Sequence, residues 1–205
     1  YSNQKDLVLL IIEVLNYHLF NLLKIVNNSS ILLSNVKKTN IINQYKNLTK
    51  DQQEEHRIVM VTPQPVTLTL EYLSAQETPS ILINYSVTEK ADGDRFLLYV
   101  DNLGDAYLIN LTGVTKYNTK TYMNIIPMVI KFKKLKNVIV DGEYVTKTVD
   151  GKPTNQFLYF DVYLYPGTKG NVFNMPFYSE DTSNKTNRCH FMREFNKEYK
   201  SLKYL

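Results

Sequence analysis

Two stretches in the second half of the chain have the pattern of β-hairpins, and they constrain the fold more than any other feature. Residues 96–100 and 106–111 are apolar, strand-like runs separated by a short turn that contains a glycine. Residues 137–148 and 156–165 repeat this pattern around an Asp-Gly pair at positions 150–151. Because hairpins pair their strands antiparallel, an antiparallel sheet is predicted for this half of the chain.

The remaining segments give weaker expectations. Residues 57–61 and 81–87 have the composition of short strands, and residues 66–72 alternate apolar and polar residues as a strand or the entry to a short helix does. Residues 112–129 lack a regular pattern and are predicted to be irregular. Residues 187–202 carry apolar residues at helical spacing with Lys and Arg between them, which predicts an amphipathic helix.

The most apolar segment, residues 5–26, is long enough to cross a membrane. Its polar residues recur at steps of three and five and therefore lie along one side of a helix: Glu13, Asn16, Asn21 and Lys24. A charged glutamate near the middle of a span is costly in lipid. These observations favour an amphipathic helix packed on protein by its apolar side, with no membrane partner. Residues 27–60 are polar and are predicted to form a connector with some helical content.

Composition adds two limits. The net charge of +4 is mild and permits a nucleic-acid partner without indicating one. The single cysteine, Cys189, excludes an internal disulfide framework and a cysteine-rich zinc site, and it favours a reducing compartment.

Residues 87–96 form the stretch that points most directly to chemistry. Lys90 is followed by Asp92-Gly93 and then by Arg95, with an apolar run on each side. A lysine at the end of a strand has a fixed backbone and a side chain that faces a cleft, which suits a catalytic nucleophile. The alternative is an ordinary surface lysine in a turn between strands.

Two later stretches accompany this one. Residues 138–145 are an apolar strand leading into Asp141-Gly142-Glu143, and residues 157–164 are an aromatic-rich strand that contains Phe160-Asp161. If the second hairpin closes through residues 150–153, Glu143 lies across from Phe160 on the same face. A carboxylate beside an aromatic ring can hold a ribose and a base. The alternative is a half-buried hairpin with the ring in the core and the carboxylate in a surface ion pair.

The three stretches, in this order, resemble the nucleotidyl-transfer motifs of mRNA capping guanylyltransferases and of ATP-dependent DNA and RNA ligases. Residues 84–95, preceded by residues 61–68, look most like the guanylyltransferase region of the large multifunctional capping enzymes of cytoplasmic and giant DNA viruses. Residues 170–177 and the helix that follows Arg188 resemble the same region. The resemblance implies an α+β fold of antiparallel sheets with flanking helices, and a cytoplasmic location.

The resemblance also implies roles for the motif residues. Lys90 would attack the α-phosphorus of GTP, which requires that its pKa be lowered by nearby cations or by desolvation. Arg95 would help to lower that pKa while contacting the ribose or phosphate, Glu143 would bind a ribose hydroxyl or a metal ion, and Phe160 would stack on the base. A divalent cation, Mg²⁺ or Mn²⁺, would neutralise the phosphate oxygens.

Asp92 and Gly93 would shape the turn that aims Lys90, and Asp161 would shape the third motif. The acceptor would be the 5′ end of an RNA, and other capping modules in the same polypeptide or complex would be partners.

The family's later motifs and its OB-fold lid have no counterpart in this sequence, so the resemblance implies the N-terminal part of a transferase domain over residues 57–205. Residues 1–56 would be a helical linker or the end of a preceding module. Two alternatives stay open: the adenylation domain of an ATP-dependent DNA or RNA ligase, and a non-catalytic module that keeps the fold within a capping complex.

Overall fold

A computed structural model of the chain describes residues 2–26, 32–50, 60–63, 65–74, 80–83, 85–112, 122–168, 172–179 and 186–201. Within these residues the fold is mixed α+β. The helices are α1 (Ser2–Val26), α2 (Asn35–Leu48) and α3 (Arg188–Ser201), with short 3₁₀ turns at Leu70–Leu73 and Val172–Asn174. The strands are β1 (Asp94–Val100), β2 (Asp105–Thr112), β3 (Tyr122–Lys131), β4 (Val138–Lys147) and β5 (Pro153–Leu164).

The five strands form one antiparallel sheet in the order β3-β2-β1-β4-β5. Both predicted hairpins are confirmed, as β1–β2 and β4–β5. Gly104 in the first turn has a φ of 87°, and a Cβ added there would lie 2.1 Å from the carbonyl oxygen of Phe132. Only glycine fits this position, since both the positive φ and the close backbone exclude a side chain.

The expectation of an irregular segment at residues 112–129 is wrong where the structure describes it, because β3 begins at Tyr122 and pairs with β2. Pro127 and Asn124 interrupt the apolar pattern and conceal the strand in the sequence. A proline is tolerated there because β3 is an edge strand, with one side free of a ladder.

The strand expected at residues 81–87 is also wrong for the residues described: positions 81–83 form a turn and 85–87 carry no strand pairing. Both neighbours of β1 are already β2 and β4, so the segment before β1 has no place beside it. Residues 70–73 form a 3₁₀ turn, as the helical alternative for 66–72 predicted. The strand expected at 57–61 lies mostly outside the described residues, and Met60 and Val61 are not in a strand.

The sheet separates two apolar clusters. On one face, side chains of β1 and β4 pack with Phe195 of α3 and with Val172. On the other face, alternate residues of the same strands pack with Ile41 and Tyr45 of α2. The expected C-terminal helix is confirmed, and the Asn187 side chain accepts a hydrogen bond from the backbone N–H of His190 in its first turn.

Residues 5–26 are helical, as predicted, but the prediction that their apolar side packs on protein is wrong. The apolar side chains of α1 are exposed, Leu15 by 62% and Ile12 by 47%, because α2 and α3 already cover the two faces of the sheet. The segment Gln4–Ile25 is long and apolar enough to cross a membrane by length and composition alone. This is a weak indication, since the core helices of soluble proteins and signal sequences also meet that measure.

Candidate active site

The pairing of β1 with β4 brings the first two motifs together. Arg95 lies opposite Glu143 and Leu97 lies opposite Asp141 in this ladder. On the other side of β4, Asp141 lies opposite Asp161 of the third motif. The three motifs, far apart in the sequence, therefore occupy three neighbouring strands at the same level of the sheet.

Asp141 is the centre of a hydrogen-bonded network at this level. Its side chain is 0% exposed, and it accepts bonds from Arg95 Nε at 3.1 Å and Arg95 Nη2 at 2.5 Å. The Tyr163 hydroxyl donates to the same carboxylate at 2.6 Å, and Arg95 Nη1 donates to the carbonyl oxygen of Pro63 at 3.1 Å. A buried carboxylate that accepts a bidentate arginine and a phenol is fully compensated.

The electrostatics of the network follow from these bonds. Hydrogen bonding to Asp141 raises the pKa of Arg95, and burial together with the Asp141 charge raises the pKa of Tyr163. Arg95 is thus held as a cation that ties β1 to β4 and to the segment at Pro63. Its predicted contact with ribose or phosphate stays a prediction, and one-third of its side chain remains exposed for it.

Lys90 lies in solvent just before β1. Its side chain is 84% exposed and forms an ion pair with Asp92, which is 91% exposed. The hydrogen bond from Lys90 to Asp92 raises the pKa of the lysine and lowers that of the aspartate. The lowered lysine pKa that nucleophilic attack requires is therefore absent from this arrangement, because an anion is the nearest partner of Lys90 and Arg95 is engaged by Asp141.

Gly93 allows the lysine-bearing segment to lie directly against β4. A Cβ at this position would be 2.6 Å from the carbonyl oxygen of Tyr144 and 3.2 Å from a side-chain carbon of Val145. Gly142 is equally confined, since its Cβ would be 2.6 Å from the Phe157 ring and 2.7 Å from the Leu158 carbonyl oxygen. The glycines of the first two motifs therefore have a packing reason that is independent of any ligand.

Glu143 lies opposite Arg95 in the β1–β4 ladder, close enough to Lys90 for their charges to interact. Burial raises its pKa, and the charges of Arg95 and Lys90 act in the opposite direction. Its Oε2 atom is buried and has no hydrogen-bond partner within the described part of the chain. An unsatisfied carboxylate oxygen is a suitable single ligand for a ribose hydroxyl or a divalent ion.

The described residues contain no group of three or more His, Cys, Asp or Glu side chains that would hold a metal by themselves. Mg²⁺ is commonly bound by one or two carboxylates together with substrate phosphates, so Glu143 fits a metal that arrives with a nucleotide.

The predicted pairing of Glu143 with Phe160 is wrong. Glu143 lies opposite Leu158, and the ladder shifts between Asp141–Asp161 and Gly142–Tyr159, so that Phe160 is an extra residue in a β-bulge. Pairing the residues by counting equally along both strands from the turn at 150–153 cannot reveal such an insertion.

Phe160 lines a cavity of about 650 Å³ between residues 85–88, β5 and α3. Tyr159, Phe177 and Arg188 line the same cavity, whereas Lys90 and Glu143 do not. Thr88 also lines it, two positions from Lys90. The structure thus places Arg95 opposite Glu143, with the charge of Lys90 acting on Glu143, and leaves Phe160 in the adjoining cavity.

Asp161, Arg188 and Tyr163 form hydrogen bonds that the sequence analysis did not predict. Asp161 accepts a bond from Arg188 Nε at 2.8 Å, and Arg188 Nη1 donates to the carbonyl oxygens of Phe173 at 3.1 Å and Met175 at 2.5 Å. Asp161 therefore fastens the start of α3 to β5. The partnership of Tyr163 with Asp141 was also missed, although its place two residues after Asp161 in an alternating strand was a usable signal.

Two comparisons with known proteins bear on this arrangement. Residues 26–200 match the family model described as mRNA capping enzyme, catalytic domain. The chain belongs to this family. A protein of Acanthamoeba polyphaga mimivirus named "Probable mRNA-capping enzyme" is 28% identical over an alignment of 173 positions that covers 80% of this chain and 13% of that protein.

Membership of the capping enzyme family makes the domain a nucleotidyltransferase and confirms the family that the three motifs indicated. The match starts at residue 26, so it includes α2, which packs on the sheet, and it leaves out nearly all of α1. The domain division expected after residue 56 stays a prediction. The chain spans 13% of the length of its mimivirus relative.

Proposed function

We propose that this domain is an mRNA guanylyltransferase that takes GMP from GTP onto Lys90 and passes it to the 5′-diphosphate end of an RNA. The observation that supports this most is the common level of the three motifs in the sheet, with Lys90 and Glu143 close enough for their charges to interact. An exposed lysine and an unsatisfied carboxylate lie beside a rigid arginine–aspartate pair. This arrangement favours nucleotide binding over a purely structural ion-pair cluster.

In the first step, the Lys90 amine would attack the α-phosphorus, a nitrogen–phosphorus bond would form, and the bond to pyrophosphate would break. The amine must lose its proton first, so Lys90 must part from Asp92, whose bond favours the charged lysine. A divalent cation, held by Glu143 and the phosphates, would neutralise charge on the leaving pyrophosphate.

In the second step, an oxygen of the RNA 5′-diphosphate would attack the same phosphorus, and the nitrogen–phosphorus bond would break to restore Lys90. The Phe160 ring in the cavity beside residues 85–88 is the proposed platform for the base, and Glu143 is the proposed partner of the ribose.

Incubation with α-labelled GTP and Mg²⁺ or Mn²⁺ tests the first step. The proposal expects a covalent label that is lost in acid and stable in base, as a phosphoramidate is. Lys90→Arg and Lys90→Ala should both abolish the label, since a guanidinium is effectively never deprotonated and alanine has no nucleophile. Lys152→Ala is the matched control, because Lys152 is also an exposed turn lysine. The measurement is made on the 205-residue chain and on the longest natural polypeptide that contains it.

The other outcomes separate the alternatives. Label from ATP but not from GTP would identify a ligase-type adenylation domain. No label from either nucleotide in both polypeptides would contradict the transferase and leave a non-catalytic capping module. Label that survives in Lys90→Ala would place the nucleophile elsewhere.

A further inference from the structure

A cluster of cations lies on the α3 side of the sheet, where the connection between β3 and β4 packs on that helix. It combines the connection between β3 and β4 with the exposed side of α3. We call it the basic face and define it by six residues: Lys133, Lys134, Lys136, Arg193, Lys197 and Lys200.

The β3–β4 connection is anchored so that its lysines point outward. Phe132 is 2% exposed and Leu135 is 4% exposed, whereas the three lysines between and after them are exposed. The backbone N–H of Phe132 donates to the carbonyl oxygen of Gly104 at 2.8 Å, and that of Asn137 donates to the carbonyl oxygen of Asp101 at 3.3 Å. The lysines therefore sit on a connection fixed at both ends.

Helix α3 adds a row of cations on its outer side, away from the Phe195 and Tyr199 rings that pack on the connection. Arg193, Lys197 and Lys200 follow the i, i+4, i+7 spacing that places residues on one side of a helix, and all three are exposed. The Phe132 ring packs on those of Phe195 and Tyr199. A bond of 3.2 Å from Lys134 to Glu198 joins the connection to the helix.

The charge of the chain is concentrated here. Among the residues that the structure describes, two carboxylates lie among the six cations: Glu198, paired with Lys134, and Glu194, paired with Lys197. The basic face thus carries a charge of +4, equal to that of the whole chain, and the remainder is balanced. Four of its cations form no ion pair with the residues that the structure describes: Lys133, Lys136, Arg193 and Lys200.

The β3–β4 connection, which carries three of the six cations, and Lys90 lie at opposite ends of β1. Lys90 precedes the start of β1, whereas the β3–β4 connection meets the residue after its end, Asp101. At about 3.3 Å per strand residue, the separation is on the order of 25 Å. A stacked strand rises about 3.4 Å per nucleotide, so about seven nucleotides would bridge it.

We propose that the basic face binds the phosphate backbone of the RNA about seven nucleotides downstream of the 5′ end presented to Lys90. This inference rests on the proposed function for its choice of RNA. Unpaired, exposed cations on a fixed surface suit a repeating polyanion, which needs charge at intervals and no shaped pocket. The basic face binds the downstream part of the RNA, and the transfer of GMP takes place at Lys90.

The test measures binding of fluorescent, single-stranded 5′-diphosphate RNAs of 3 and 12 nucleotides to the 205-residue chain by anisotropy. The charge-reversed variants are Lys133→Glu/Lys136→Glu and Arg193→Glu/Lys200→Glu. Each should raise the Kd for the 12-mer about tenfold or more at low salt and reduce the slope of log K against log salt by about 1.4. The Kd for the 3-mer, which cannot reach the face, should change less than about twofold.

The control is Lys38→Glu/Lys50→Glu, which makes the same change in net charge at exposed lysines of α2 and its C-terminal end. Equal weakening by this control would overturn the proposal in favour of general charge attraction. Unchanged binding of the 12-mer by both basic-face variants would overturn it as well. Tighter binding of a poly-glutamate peptide than of the 12-mer would assign the face to an acidic protein.

The two proposals fail separately. Lys90→Ala should abolish GMP labelling and leave 12-mer binding unchanged. A domain that takes no label yet binds the 12-mer through the basic face would retain this inference without guanylyl transfer. A domain that takes label but binds both RNAs alike in all variants would retain only the transfer.

Discussion

Lys90 and Arg95 stand five positions apart in one motif, and their surroundings differ greatly. Arg95 makes two bonds to a carboxylate that is 0% exposed and one to a backbone carbonyl. Lys90 makes one ion pair with a carboxylate that is 91% exposed. The arginine belongs to β1 and has a ladder partner in β4, whereas the lysine precedes the first ladder residue, Asp94.

This difference separates two tasks within one motif. A buried bidentate pair fixes the geometry of the strands, because breaking it would leave a charge without compensation. A solvent-exposed ion pair contributes little to stability and can be exchanged for another partner. Arg95 therefore stabilises the sheet, whereas Lys90 is free to exchange its partner and to react.

The largest expected effect is that of Asp141→Ala. Removing the carboxylate leaves the Arg95 guanidinium and the Tyr163 hydroxyl without their acceptor, and we expect a loss of about 3–5 kcal/mol in the free energy of unfolding. Urea denaturation measures it. Glu89→Ala, an exposed acid of the same motif region, should cost less than about 0.5 kcal/mol. Equal effects of the two substitutions would contradict the contrast drawn above.

Tyr163→Phe should have the next largest effect. It removes one hydrogen bond to a buried charged group and keeps the packing of the ring, so a loss of about 1.5–3 kcal/mol is expected. Tyr178→Phe is the matched control, because Tyr178 is 53% exposed. If thermal or urea unfolding finds the two variants equally stable, the phenol contributes nothing to the network.

Glu143→Gln should alter how stability depends on pH. Burial raises the pKa of folded Glu143 above its ordinary value of 4.5, so its contribution is full below that value and is lost as the pH rises through the folded pKa. The variant lacks this loss and should gain stability relative to the native chain between pH 4 and pH 7, by less than the Tyr163→Phe effect. An unchanged difference between the two proteins at both pH values would refute the raised pKa.

The smallest effects on stability are expected at the lysine end. Asp92→Asn and Lys90→Ala should each change the free energy of unfolding by less than about 0.5 kcal/mol. Their effects on chemistry should be larger. Removing the Asp92 charge lowers the pKa of Lys90, so the pH profile of GMP labelling should move to lower pH in Asp92→Asn. A profile that stays in place would show that the ion pair does not control the nucleophile.

Much of the frame was predictable from sequence. The apolar runs at residues 96–100 and 106–111 around a glycine-containing turn, and the Asp-Gly turn at 150–151, predicted both hairpins. The helical spacing after Asn187 predicted α3. These features are local, since each depends on neighbours a few positions away. The order of the three motifs likewise indicated the family, which the family match confirms.

The remainder depends on contacts between distant segments. Whether α1 is covered is decided by what α2 and α3 already occupy, and no periodicity within residues 5–26 contains that information. The state of Lys90 is decided by which acid is nearest in space. The pairing of Arg95 with Asp141, across 46 positions, takes up the cation that was expected to act on the lysine.

The bulge in β5 has a consequence for sequence length. An additional residue in one strand of a hairpin shifts the alternation, and here it lets the neighbouring rings of Tyr159 and Phe160 border the same cavity. A chain shortened by that single residue would have a straighter, more regular ladder and would lack one wall of the cavity. Deletion of the bulge residue should therefore preserve the sheet and impair only the binding of a ligand in the cavity.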